Sequence, residues 1–149
     1  AGLGEIGRMG ILITERFGPR VRLGVVTTDM HLVPDKVKSY GGQSFCSHCF
    51  KCARNCPSGD IPFGSKKRIN GSLRWQINQE KCFGFWRTIG TDCGVCVNSC
   101  PYSKPDNLIH KMVKYSLKKS YIARTIVPIF DDYLYGKNPF KKNKPKWME

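Results

Sequence analysis

The chain has 149 residues, 40% of them hydrophobic and 24% charged, with eight cysteines and a formal net charge of +14. That length suits one domain with a modest core. No apolar run reaches bilayer-spanning length, and no secretory leader is recognisable. So strong a positive charge draws anionic membrane, nucleic acid or acidic proteins, although a solvated lysine-rich surface is the commoner cause. The chain opens on Ala1, not Met, and runs at once into apolar, glycine-spaced residues, as an internal piece of a longer protein would.

Residues 1–42 contain no cysteine. The spacing of Ile6, Met9 and Ile13 predicts a short helix over Glu5–Ile13, broken at Phe17-Gly18-Pro19. Alternation of Val21, Leu23 and Val25, followed by β-branched Val26, Thr27 and Thr28, predicts a strand over Val21–Thr28. Gly2, Gly4 and Gly7 formally spell G-x-G-x-x-G. A dinucleotide site would also need a preceding strand and a βαβ unit, so close backbone packing is the better reading. Gly41-Gly42 marks a junction. Residues 43–104 hold all eight cysteines, and residues 105–149 follow as a third part. There Asp106, after Pro105, is placed to cap a helix whose Ile109, Met112, Val113 and Leu117 share one face, with Lys111, Lys114 and Lys118 turned away. A second apolar run, Ile122–Ile129, is expected to stop near Pro128. From Gly136 onward the Lys-, Asn- and Pro-rich stretch reads as an extended, solvated tail, with Trp147 able to dock it.

The cysteines are the most specific feature. Cys46, Cys49, Cys52 and Cys56 form C-x2-C-x2-C-x3-C, followed by Pro57. Cys93, Cys96 and Cys100 form a second run followed by Pro101, with Cys82 upstream. This is the bacterial two-cluster ferredoxin spacing, in which the fourth cysteine of a run ligates the other cluster. It predicts one [4Fe-4S] cluster on Cys46, Cys49, Cys52 and Cys100, and another on Cys82, Cys93, Cys96 and Cys56. Cys82 stands further upstream than in a simple two-cluster ferredoxin. Two rivals use the same thiols. Structural zinc usually takes two separated C-x2-C pairs per site, and disulfide frameworks belong to small secreted domains. His48 lies between two cysteines without being needed as a ligand, and His31 and His110 are scattered. Trp75, Phe83, Phe85 and Trp86 flank Cys82 as a shell that excludes water from a cluster, or as a wall of an apolar pocket.

Five segments together resemble the corrinoid-dependent reductive dehalogenases. They are AGLGEIGRMGILIT (1–14), GPRVRLGVVTTDM (18–30), CSHCFKCARNCPSGDI (46–61), WQINQEKCFGFW (75–86) and DCGVCVNSCPYSKP (92–105). The resemblance implies an α+β protein. Residues 1–42 would be the C-terminal part of a nitroreductase-like corrinoid-binding domain, joined to a ferredoxin-like domain with two [4Fe-4S] clusters (43–104) and C-terminal helices. It implies that the clusters feed a corrinoid (cobalamin) whose cobalt removes halide from an organohalide, with the proton donor lying upstream of these residues. Gly2, Gly4, Gly7 and Arg8 match the segment against the corrinoid, and Arg20 and Arg22 match a basic strand near that cavity. The implied setting is the outer face of the cytoplasmic membrane, reached by twin-arginine export, with an electron donor and a membrane-anchor protein as partners and no nucleic acid. The related epoxyqueuosine reductases, which act on tRNA, read AGLGWIGK where this chain has AGLGEIGR. A free-standing two-cluster ferredoxin is the other alternative, and residues 1–42 argue against it.

Overall fold

A computed structural model describes residues 2–36 and 39–138. The tail beyond 138, with Trp147, lies outside the described residues. Where a helix is expected over Glu5–Ile13, the chain forms a hairpin instead. β1 (Glu5–Ile6) pairs antiparallel with β2 (Leu12–Ile13), Glu5 opposite Ile13 and Ile6 opposite Leu12. Glycine decides the outcome. Gly10 turns the chain at φ 74°, and the Gly7 amide bonds the Ile11 carbonyl at 3.0 Å. Helical glycine costs about 1 kcal/mol each relative to alanine. Met9 and Ile13 still reach the core, so the apolar spacing is satisfied by a different backbone.

The strand expected over Val21–Thr28 is also absent. Residues 19–36 form no regular element among the described residues, and Val25 and Val26 are each 91% exposed. Alternating β-branched residues make a strand only beside a partner edge, and the described residues provide none.

Helix α1 (Gly42–His48) follows Gly41, which adopts φ 81°; a Cβ there would meet the Arg124 guanidinium at 2.5 Å. Next come α2 (Lys51–Asn55) and a hairpin of β3 (Lys67–Ile69) with β4 (Ser72–Arg74), turned at Asn70-Gly71, both with positive φ. That pair is the residue choice a two-residue hairpin favours. Helix α3 (Gln79–Ile89) is capped by the Asn78 side chain, which accepts from the Lys81 amide at 3.0 Å. Helix α4 (Val95–Ser99) leads into a 3-10 turn, Pro101–Ser103.

Helix α5 spans Leu108–Lys119, and its cap is Asn107, one residue after the expected Asp106. Asp106 instead pairs with Lys111 at 3.6 Å. Leu117 is buried and Val113 half-buried, but Ile109 and Met112 are 70% and 66% exposed. The helix reaches the core only through its C-terminal half. Helix α6 (Tyr121–Tyr135) does not stop at Pro128 but runs through it. The Arg124 guanidinium donates to the Leu117 and Lys118 carbonyls at 2.7 and 3.0 Å, closing the end of α5 onto α6. The core centres on Met9, Ile13, Phe45, Trp75, Tyr102 and Leu117, with four cysteines among them. The Tyr102 ring stands edge-on to Phe45 at 5.2 Å.

Candidate iron–sulfur site

Proline explains how each run sends its last cysteine away. Steric clash with the proline ring pushes the preceding residue out of the helical region. Cys56 before Pro57 has φ −64°, ψ 115°, and Cys100 before Pro101 has φ −68°, ψ 130°. Each ends a five-residue helix, α2 or α4, and each amide bonds the carbonyl three residues back at 3.4 Å. The two helices pack against one another. The runs are therefore two copies of one local device, placed so that the last cysteine of each can serve the other.

The structure brings the thiols together in two groups. Cys46, Cys49, Cys52 and Cys100 are all buried, 5–7% exposed. Burial, then the charge of Cys46, Cys49 and Cys52, pushes the Cys100 thiol well up. Burial, then Cys49, Cys46 and Cys96, does the same to Cys52, and Cys49 is pushed up to about 12 by burial foremost. The second group is Cys56, Cys82, Cys93 and Cys96, each half-buried. All four line one cavity of about 520 Å³ that Ile61, Ile77, Phe83 and Trp86 also border. Burial, then Cys93 and Cys56, raises Cys96 to about 11. Burial, then Asp60, raises Cys82 to about 12.

Thiols that are dry and crowded by one another stay protonated unless cations neutralise them, which is what iron does on binding. All eight are free thiols. Among the described residues, no three Cys, His, Asp or Glu side chains converge as a single ion would require. A zinc site of four cysteines needs that convergence at about 2.3 Å per sulfur, whereas a cubane holds its thiolates apart at four corners. The donor set fits two cubanes.

Arg8, matched by resemblance to the corrinoid segment, turns its side chain inward. It is 2% exposed. Gly4 and Gly7 also face the chain itself. A Cβ on Gly4 would collide with the Ile13 carbonyl oxygen, and one on Gly7 would collide with the Ile13 side chain and meet the Cys46 sulfur at 3.5 Å. A Cβ on Gly2 would meet the Lys36 carbonyl oxygen at 2.8 Å. Arg20 donates to Asn98 at 3.4 Å on the surface, and Arg22 borders the same shallow cleft. Of the aromatic group, Phe83, Phe85 and Trp86 line the cavity of the second thiol group. Trp75 is buried elsewhere, donating to the Gly64 carbonyl at 3.0 Å. His48 stands edge-on to Tyr121, and His110 bonds Asn107 and the Tyr135 hydroxyl.

Three supports escape the cysteine pattern. The Glu5 carboxylate accepts from the Gly42 and Gln43 amides at 2.6 and 3.4 Å and from the Ser39 hydroxyl at 2.8 Å. It thus caps α1, whose own N-cap Gly41 has no side chain to do so. Lys51, between Cys49 and Cys52, is buried and paired with Asp131 and Asp132 of α6. Asp60 stands among the second group, accepting from the Cys56 thiol and from the Ser58 hydroxyl at 3.0 Å. Burial alone would raise its carboxyl, but the combined hydrogen bonds from Cys56, Cys82 and Ser58 hold it below the usual range. Each signal is long-range or an isolated polar residue, and although all three sit inside segments that carry the resemblance, none belongs to the cysteine spacing itself.

A 4Fe-4S dicluster domain model matches residues 45–104. A tetrachloroethene reductive dehalogenase of Sulfurospirillum multivorans is 42% identical over 144 residues, covering 91% of this chain and 29% of that protein. A solved reductive dehalogenase, described in connection with B12-dependent dehalogenation, superposes with a TM-score of 0.87 at 34% identity. The match covers 93% of this chain and 20% of that one. An epoxyqueuosine reductase of Lactococcus garvieae is 27% identical over 112 residues. The chain spans about three-tenths of the curated dehalogenase and a fifth of the solved one. It belongs to the reductive dehalogenase family, in the part that carries the dicluster domain.

Proposed function

We propose that this chain is the electron-delivering part of a corrinoid-dependent reductive dehalogenase. Cys46, Cys49, Cys52 and Cys100 would hold one [4Fe-4S] cluster, and Cys56, Cys82, Cys93 and Cys96 the other. The observation that supports the reading is the company of the two last cysteines: Cys100 is buried beside Cys46, Cys49 and Cys52, and Cys56 lines one cavity with Cys82, Cys93 and Cys96. When bound, the clusters supply one-electron transfer and the corrinoid supplies the cobalt chemistry that releases halide from an organohalide.

The chain's own residues have narrower tasks. Burial by Phe45 and Tyr102 keeps water from the first thiol group, which protects a cluster from hydrolysis and fixes its surroundings. Phe83, Phe85 and Trp86 do the same over the second, more open group. Gly4 lets β1 lie close against β2, and Gly7 lets the hairpin approach the Cys46 sulfur of α1. The corrinoid rests on the family alone: Gly4, Gly7 and Arg8 spend their side-chain space on this chain, and only their backbone faces are left for a corrinoid. Residues 1–42 belong in this reading to a nitroreductase-like corrinoid-binding domain, 43–104 to the cluster domain and 105–149 to the C-terminal part. Extended residues 23–33 and the outer faces of α5 and α6 expose Val25, Val26, Ile109, Ile122 and Ile129. Apolar surface on that scale marks an interface, and the remainder of the dehalogenase is its natural cover.

Among the described residues, no helix is long and apolar enough to cross a membrane. Peripheral attachment at the outer face of the cytoplasmic membrane, twin-arginine export, a separate electron donor and an anchor protein follow the family and remain part of the proposal. With two clusters contributing about −2 each, the charge of +14 falls to roughly +10, still suited to an anionic surface.

The test uses the complete protein, purified anaerobically. About eight iron and eight sulfide per chain are expected, with corrinoid present and halide released from a chlorinated alkene or arene by a low-potential reductant. Stoichiometric zinc without visible absorbance, or full clusters and corrinoid without halide release, would sink the reading.

A further inference from the structure

Arg8 is a buried cation with no carboxylate among the described residues to neutralise it. Its Nε donates to the Cys46 carbonyl at 3.0 Å, and one terminal nitrogen donates to the carbonyls of Pro62 and Gly64 at 2.8 and 3.1 Å. Its guanidinium carbon lies 4.2 Å from the Phe50 ring centre and 4.7 Å from that of Trp75. The ion pairs among the described residues involve Arg16, Lys51, Arg54, Lys111 and Lys118, never Arg8. Lys51 makes the contrast. It is equally buried and also beside the first thiol group, but Asp131 and Asp132 neutralise it.

Carbonyls and ring faces satisfy the hydrogens of a guanidinium but supply no net charge. An uncompensated charge is costly to bury, so a counter-charge belongs nearby. Among the described residues, the groups beside Arg8 that can supply it are the sulfurs of Cys52, Cys46 and Cys49, protonated when empty and negative once they hold a cluster. Glu5 and Lys66 also act on Cys46, but Glu5 is spent on the α1 cap and Lys66 bonds Gln43 at 2.7 Å.

We propose that Arg8 is the built-in counter-cation of the cluster held by Cys46, Cys49, Cys52 and Cys100, a positioning residue that sets that cluster's reduction potential. The inference rests on the two-cluster reading. Taking up one electron moves a thiolate-ligated [4Fe-4S] cluster from about −2 to about −3. A fixed positive charge favours the more negative form, so Arg8 raises the potential and eases reduction of this cluster above its partner. The three carbonyl contacts hold the charge at constant distance, and the aromatic faces keep out the water that would screen it.

The experiment is an EPR-monitored redox titration of the complete, cluster-loaded protein, comparing Arg8→Met and Arg8→Lys with the unaltered enzyme. The first cluster's couple is identified as the one lost in Cys46→Ser. Arg8→Met should shift that couple to more negative potential and move the second couple much less. Arg8→Lys, which keeps the charge, should stay close to the unaltered value. If Arg8→Met fails to load the first cluster, Arg8→Lys must still load it, because charge and not shape is the requirement. A fully loaded Arg8→Met protein with an unchanged first couple overturns the inference. So does equal cluster loss in both variants. If the unaltered protein shows no [4Fe-4S] signal, it is the underlying two-cluster reading that has failed.

Discussion

Lys51→Met isolates what holds the first cluster loop to the C-terminal helix. The Lys51 ammonium is 1% exposed and contacts the Asp131 carboxylate, 8% exposed, and Asp132 at 3.4 Å. It also donates to the Asp131 carbonyl at 3.3 Å. Removing one partner of a buried pair costs about 3–5 kcal/mol, because the other charge is left dry and unpaired. Asp132 keeps Arg54 at 2.5 Å in a partly exposed setting, so the loss falls mainly on Asp131 and the low end, about 3 kcal/mol, applies. Since about 1.4 kcal/mol is tenfold, opening of α6 from the Cys49–Cys52 loop should become about a hundredfold more frequent. The assay is chelator-driven iron loss from the complete holoprotein, followed by bleaching of cluster absorbance. The single variant should lose the first cluster far faster than the unaltered protein. Lys51→Met combined with Asp131→Leu should recover most of the lifetime, since an apolar replacement of both partners is often neutral. Iron loss within twofold in Lys51→Met, or no recovery in the double variant, would refute the reasoning.

Glu5→Ala removes the acceptor of two α1 amides and should cost about 0.5–2 kcal/mol, the range for losing an N-cap; faster amide hydrogen exchange confined to Gly42–His48 is the expected reading, and unchanged exchange there counts against it. Cys56→Ser should damage the cluster built mainly on the second run, and Cys100→Ser the one built mainly on the first. EPR of the two variants decides this, since damage confined to each cysteine's own run would reverse the ligand sets. In cluster-free protein, Cys49 and Cys82 sit near 12 when folded, against 9.0 for the free thiol. The unfolded chain then ionises first, so the stability these thiols contribute is present below about pH 9 and is lost as pH rises from about 9 to about 12. A urea midpoint that holds or rises across that window would contradict their burial.

The sequence carries the site more clearly than the scaffold, for a physical reason. A cubane fixes its ligands by spacing, and the proline after Cys56 and Cys100 fixes backbone direction locally, so both are legible in a few adjacent residues. The Glu5–Ile13 hairpin is not: Ile6, Met9 and Ile13 satisfy a 3.6-residue period, yet Ile13 reaches the core from β2 and Met9 from the turn before it, and only the glycine turn decides between the two backbones. Val21–Thr28 has the composition of a strand but no partner within the described residues. The Asn70-Gly71 turn is a hairpin signal that attention to cysteine spacing passes over. Glu5 capping α1 and Lys51 reaching α6 join residues 37 and 80 positions apart, and no local pattern announces such pairs.

These supports share a direction. The largest fully buried side chains, Phe45, Lys51, Met9, Ile13 and Asn55, all lie on the elements that frame the thiols or on the hairpin against them. Trp75 and Leu117 extend this core, while Val25, Val26, Val33, Ile109 and Ile129 are left largely outside. A core organised around four cysteines gains its stability when those cysteines are bridged, because binding energy to a site absent from the unfolded chain is folding energy. The same holds for the exposed faces, which gain stability only when covered. Arg8 and Lys51 then differ in kind. Lys51 brings its own counter-charge and holds the loop whether or not iron is present. Arg8 lacks one, so its burial is fully compensated only in the loaded protein. Loss of the first cluster should therefore loosen the hairpin against α1 more than it loosens α6 against the Cys49–Cys52 loop.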